Sequence, residues 1–191
     1  MSSLRVDNIS SRTGSTIYIP SGTSLYAPGH IIQVVNTYYK TATALSIPAS
    51  VTTYTDVPGV SATITPKSIN SKIYITVRWF GEWNPTSINW QSMFNIKKNG
   101  VPVGQPDPNG TNTLGIHAGA MSYYSTDADS TPETVFFDYY EAASSISPIT
   151  YSLAVASYTA GTMYINRCVN ASSGNDYERG TSSITLFEIA G

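Results

Sequence analysis

The chain has 191 residues, a formal net charge of −2 and only 12% charged residues, about half the usual ~25%. With no basic stripe and no apolar run near ~18 residues, nucleic acid and membrane insertion are excluded as expectations. Serine (26) and threonine (23) stand where charge is missing, while 41% hydrophobic residues and 14 tyrosines mark a core-forming, β-prone chain rather than a disordered one.

Residues 1–29 differ from the rest. They are rich in Ser, Thr, Gly and Pro, and their apolar residues Leu4, Val6, Ile17, Ile19 and Leu25 are scattered. Such a stretch cannot bury a core alone, so it is expected to be an extended N-terminal arm that docks elsewhere. It lacks the apolar core and cleavage site of a secretory signal. Residues 30–191 form the expected head domain.

From residue 30, period-2 alternation dominates. Strands are expected over 31–39, 43–47, 51–56, 60–65, 72–80, 91–98, 101–104, 115–122, 134–141, 150–158, 162–168 and 182–189. Ile73, Ile75, Val77 and Trp79 share one face of the fifth strand, and Tyr74, Thr76, Arg78 and Phe80 the other. Val57-Pro58-Gly59, Thr65-Pro66, the 104–110 stretch and Ala160-Gly161 read as breaks. Asn99-Gly100 between apolar runs predicts a hairpin with a type I′ turn. No helical stripe emerges. The pattern predicts an all-β, antiparallel β-sandwich of jelly-roll type.

Few residues suggest chemistry. Trp83 lies in Gly81-Glu82-Trp83-Asn84-Pro85, a loop by composition, where it is expected to meet another subunit, the core or a sugar face. In the sugar reading Glu82 and Asn84 would accept hydroxyl hydrogen bonds. Loops between 81 and 133 carry Trp83, Asn84, Trp90, Tyr123 and Tyr124, the candidate receptor contacts, because loops on a rigid sandwich are where binding residues concentrate. His30 and His117 lack partners at metal-ligand spacing, and Cys168, the single cysteine, is expected to be a small buried residue. There is no G-x-S-x-G elbow, H-E-x-x-H or phosphate loop. Glycan cleavage would need two neighbouring carboxylates from Glu82, Asp138 and Glu141, and sequence does not bring these together. The expectation is a non-enzyme with no cofactor and no metal.

Three stretches resemble a known group. They are Leu4-Arg5-Val6-Asp7-Asn8-Ile9 through Ile17-Tyr18-Ile19-Pro20-Ser21-Gly22 and Ala27-Pro28-Gly29-His30-Ile31-Ile32-Gln33-Val34-Val35; Tyr54-Thr55-Asp56-Val57-Pro58-Gly59-Val60-Ser61-Ala62-Thr63-Ile64-Thr65-Pro66-Lys67-Ser68 with Ser71-Lys72-Ile73; and Arg179-Gly180-Thr181-Ser182-Ser183-Ile184-Thr185-Leu186-Phe187-Glu188-Ile189. Together they are similar to short fibre-type structural proteins of tailed bacteriophages. The resemblance implies a virion protein assembled in the host cytoplasm, a homotrimer, and an arm that contacts another virion protein. It leaves open tail fibre or capsid decoration (head fibre). The expected partners are further copies of the chain, a virion protein held through residues 1–29, and a host-surface glycan or protein. A carbohydrate-binding module is the alternative from another class.

Overall fold

The computed structural model describes residues 13–14, 27–83, 92–118, 130–170 and 177–191. Its elements are all strands: β1 (Ile31–Tyr39), β2 (Thr43–Ile47), β3 (Ser50–Ile64), β4 (Lys72–Trp83), β5 (Ser92–Lys98), β6 (Val101–Val103), β7 (His117–Ala118), β8 (Glu133–Ala142), β9 (Ile149–Ser157), β10 (Gly161–Ile165) and β11 (Ser182–Ile189). They form two antiparallel sheets. In the first, β4 is central. One of its edges pairs with β8 along Lys72–Gly81; the other pairs with β11 and then, from Gly81, with β10. β1 flanks β11 and β2 flanks β10. The second sheet runs β3-β9-β5-β6, with β7 also on β5. Without the additional strands β2, β7 and β10, the strands order as first-eighth-third-sixth in one sheet and second-seventh-fourth-fifth in the other. This is the jelly-roll arrangement of an antiparallel sandwich.

Alternation explains the layers. Odd-numbered residues of β4 and β8 and even-numbered residues of β11 point between the sheets: Ile73, Ile75, Val77, Trp79, Val135, Phe137, Ile184 and Leu186 are each at most 5% exposed. Phe94, Ile96, Tyr151, Leu153 and Val155 answer from the second sheet. At one end the filling is aromatic. Trp79 lies 5.3 Å from Phe94 and 5.9 Å from Trp83, and Phe94 lies 6.1 Å from Phe137. These tilted pairs are favoured by ring quadrupoles.

Two expectations change. The stretches 51–56 and 60–65 are one strand, β3, whose register on β9 slips between Ser50 and Thr55 and again between Asp56 and Ser61, across Val57-Pro58-Gly59. The segment is a bulge rather than a turn. It breaks the parity so that Val57 and Val60, three residues apart, are both buried. Gly59 adopts φ 71°, and a Cβ there would meet the Tyr39 ring at 2.1 Å. The second change is at 115–122, where the described part of the expected strand is only the two-residue β7. The hairpin at Asn99-Gly100 has φ 49° and 85°, as a type I′ turn requires.

The head has a defined polarity. Ala27–His30 enter beside the C-terminus, with the Gly29 N–H donating to the Ala190 carbonyl (2.8 Å) and the Ala190 N–H to the His30 carbonyl (2.8 Å). Lys72, Ala142 and Ile189 share this proximal end through their pairings. Trp83, Ser92, Ala118, Ser130, Asn170 and Tyr177, the residues flanking 84–91, 119–129 and 171–176, belong to the opposite, distal end. Buried polar groups tie both ends. Proximally, Glu188 accepts from the Lys67 N–H (2.7 Å) and Gln33 Nε2 (2.6 Å). Distally, Asn166 sits at φ 61°, donates to the carbonyls of Tyr39 (2.8 Å) and Thr41 (3.1 Å), and accepts from Ser182 Oγ (2.8 Å).

Candidate functional site

The even-numbered residues of β4 and β8, the odd-numbered residues of β11 and the even-numbered residues of β1 project from the outer face of the first sheet. Among the described residues no second layer covers it. Cross-strand register sorts this face into rows. Val34 pairs with Phe187, Phe187 with Tyr74 and Tyr74 with Tyr140, giving an apolar, aromatic row across four strands near the proximal end. Val34 and Tyr140 are each 53% exposed, and the Tyr74 and Phe187 rings are 6.0 Å apart. The next row, Asn36-Thr185-Thr76-Asp138, is polar. Desolvation, and then the Asp138 carboxylate beside it, hold the Tyr74 phenol above its ordinary value. The third row is Tyr38-Ser183-Arg78-Phe136, with Tyr38 60% and Phe136 64% exposed. Arg78 lies 6.0 Å from the Tyr38 ring centroid and donates to Thr181 Oγ1 at 2.8 Å. Beyond it Phe80 pairs with Thr134.

Exposed aromatic residues thus line up in rows on one sheet face. Sequence reasoning missed these rows. The alternating pattern of Tyr74, Phe80, Phe136 and Tyr140 was legible, but which residues of β1 and β11 complete each row depends on pairings about 150 positions apart.

The residues singled out from sequence lie elsewhere. Trp83 belongs to β4 and not to a loop; it is 3% exposed, its ring tilted against Phe94 at 6.1 Å. Within one protomer it is core, and the stacking of a sugar on it is corrected. Asn84, Trp90, Tyr123 and Tyr124, and the arm residues Leu4, Val6, Ile17, Ile19 and Leu25, lie outside the described residues. Glu82 is 3% exposed and is occupied by backbone: Oε1 accepts from the Thr131 N–H (3.1 Å) and Oγ1 (2.9 Å), and Oε2 from the Val169 N–H (2.6 Å). It is therefore not available to sugar hydroxyls.

The three carboxylates weighed for glycan cleavage are kept apart. Asp138 is on the outer face, Glu141 projects from the opposite face of β8, and Glu82 lies six positions of β4 beyond the residue paired with Asp138, roughly 20 Å along the strand. Glu141 accepts from the Tyr151 hydroxyl and pairs with Lys98 at 2.9 Å. The Tyr151 phenol is pushed far above its ordinary value, first by burial and then by Glu141. Cys168 is buried, and its thiol donates to the Glu178 carboxylate at 3.3 Å. Burial first, and that hydrogen bond second, push the thiol up to about 11, which leaves a poor nucleophile at neutral pH. His117 stacks on Phe137 at 5.7 Å, whereas His30 is exposed. No group of three or more His, Cys, Asp or Glu placed to hold a metal ion occurs among the described residues.

No protein-family model matches the chain, and no curated protein matches it significantly.

Proposed function

We propose that the chain is the subunit of a homotrimeric short fibre of a tailed-bacteriophage particle, docked by residues 1–29 and presenting the distal end of its sandwich to the host surface. The observation that carries this reading is the Val34-Phe187-Tyr74-Tyr140 row, which no layer of the described residues covers. A low-charge protomer that leaves such a row in water is poorly protected against association, and closed contact with further copies around a symmetry axis removes the row from solvent. Polarity supports the orientation. The arm leaves the head at the end where the row lies, so copies can close around that end while the opposite end stays free. The virion setting rests on the resemblance of the arm, β3 and β11 stretches to fibre-type proteins. Attachment would work by multivalency, since three weak sites per trimer and many trimers per particle raise avidity without a tight single site.

The second reading, a carbohydrate-binding module, is favoured by the third row. There Tyr38 and Phe136 flank Arg78 on an open sheet face, an arrangement suited to sugar rings.

Light scattering on the 191-residue chain at micromolar concentration tests the oligomer. The expected mass is about three times the 20.6 kDa protomer. Tyr140→Asp should release monomers with little loss of protomer stability, because Tyr140 is 53% exposed within one chain. A monomeric wild type overturns the trimer. Failure of antibodies against the head to decorate purified particles overturns the virion assignment and leaves the module reading.

A further inference from the structure

We propose that Arg78, Phe80, Thr134, Gly180 and Thr181 form a binding site for a sugar residue carrying a carboxylate, one site per protomer, toward the distal end of the outer sheet face. The inference deepens the attachment reading and rests on it for its biological setting, while its geometry comes from one chain alone.

These five residues line a cavity of about 290 Å³. That lies just under the ~300–1,000 Å³ range of drug-sized pockets, which suits a single ring rather than an extended ligand. The cavity is assembled from three segments. Arg78 and Phe80 alternate onto the same face of β4. Thr134 is the β8 partner of Phe80. Gly180 and Thr181 precede β11 and lie against them. Glycine is required at 180, since a Cβ there would come within 2.4 Å of the Phe80 ring. The backbone thus approaches the aromatic wall as closely as it can.

The chemistry of the lining is asymmetric. Arg78 brings a fixed positive charge, yet it has no salt bridge to a carboxylate among the described residues. One of its terminal nitrogens is held by Thr181 Oγ1 at 2.8 Å, and its buried Nε has no hydrogen-bond partner among the described residues. A partly buried guanidinium with spare N–H donors favours a planar oxyanion, and a carboxylate matches its fork with two parallel hydrogen bonds. Asp138, the acid of β8 on this face, pairs across the strand with Thr76 rather than with Arg78 and sits beside Tyr74. The two threonine hydroxyls both donate and accept, as sugar hydroxyls require. Phe80 supplies an apolar wall for the C–H edge of the ring. An acidic sugar uses all of these groups, whereas a bare inorganic anion leaves the aromatic wall unused.

Four residues along β4, about 13 Å, separate Arg78 from Tyr74 of the proximal row.

The test is ligand-observed NMR titration of the 191-residue chain with methyl β-glucuronide, methyl β-glucoside and sodium sulfate. The glucuronide should bind at least tenfold more tightly than the glucoside and than sulfate. Thr134 is exposed, so Thr134→Glu should fold normally, pair its new carboxylate with Arg78 and weaken glucuronide binding at least tenfold. Arg78→Gln should do the same, with thermal melting to check its fold. Tyr140→Asp should retain glucuronide binding even when it dissociates the oligomer, which separates failure of the subunit reading from failure of this one. Equal binding of glucuronide and glucoside, sulfate binding as tight as glucuronide, or glucuronide binding undiminished in Thr134→Glu would each overturn the proposal.

Discussion

Replacing Glu82 by Gln should unfold the distal end of the sandwich at a lower temperature without touching any exposed surface. The carboxylate accepts three hydrogen bonds from two separate connections, at 3.1 and 2.9 Å from Thr131 and at 2.6 Å from the Val169 N–H, and is 3% exposed. Glutamine keeps one acceptor oxygen and turns the other position into a donor. If its amide nitrogen faces Val169, two donors meet at the shortest of the three contacts. The cheaper orientation turns it toward Thr131, where the hydroxyl can rotate to accept but the backbone N–H loses its carboxylate acceptor. A hydrogen bond to a charged group contributes about 1.5–3 kcal/mol, and leaving a buried donor unpaired costs about 1–3 kcal/mol. Relief of the cost of burying the charge offsets part of this. The net loss should be about 2–4 kcal/mol, or roughly 5–15 °C in Tm for a chain of this size. Differential scanning calorimetry at fixed protein concentration measures it, since association makes Tm concentration-dependent. Amide exchange should quicken at Val169 and Thr131 before it does in β9. A Tm within about 2 °C of wild type would refute the reasoning and return Glu82 to the list of groups available to a ligand.

Two further outcomes follow from the same geometry. Gly100→Val should cost about 1–2 kcal/mol from backbone conformation alone, because φ is 85° and a side chain there would meet nothing within 4 Å; unchanged chemical denaturation would mean the turn relaxes to another type. Stability should also fall at alkaline pH. Cys168, raised from 9.0 to about 11, and Tyr151, Tyr139 and Tyr74, all raised from 10.0 with burial as the first cause, hold their protons to higher pH in the folded state than in the unfolded chain. The Cys168 contribution is complete below about pH 9 and is lost as pH rises through 11, and the tyrosine contributions begin to fall once pH passes the ordinary phenol value of 10.0. Cys168 alone accounts for something on the order of 2–3 kcal/mol at ~1.4 kcal/mol per unit. Guanidinium midpoints should hold from about pH 8 to 9 and decline from about pH 9 to 11, and a flat profile would contradict the assignment.

Strand alternation and turn chemistry are local, and they were legible from residues alone. Ile73 to Trp79 on one face, Asn99-Gly100 at φ 49° and 85°, and the bounds of β1 and β2 all follow from side-chain period and steric preference. Tertiary structure decided the rest, because it turns on what lies opposite. Val57-Pro58-Gly59 carries turn residues, yet pairing with β9 continues past it, and the bulge brings both Val57 and Val60 into the core. Gly81-Glu82-Trp83 is polar and glycine-containing, yet it is strand, because Thr131 and Val169 satisfy the carboxylate and Trp79 and Phe94 cover the indole. The aromatic row and the Arg78 cavity exist only once β1, β11, β4 and β8 lie in register. Residues as distant as Val34 and Phe187 become neighbours through hydrogen-bonded pairing, and no spacing within the chain encodes which of the two sheet faces remains without a covering layer.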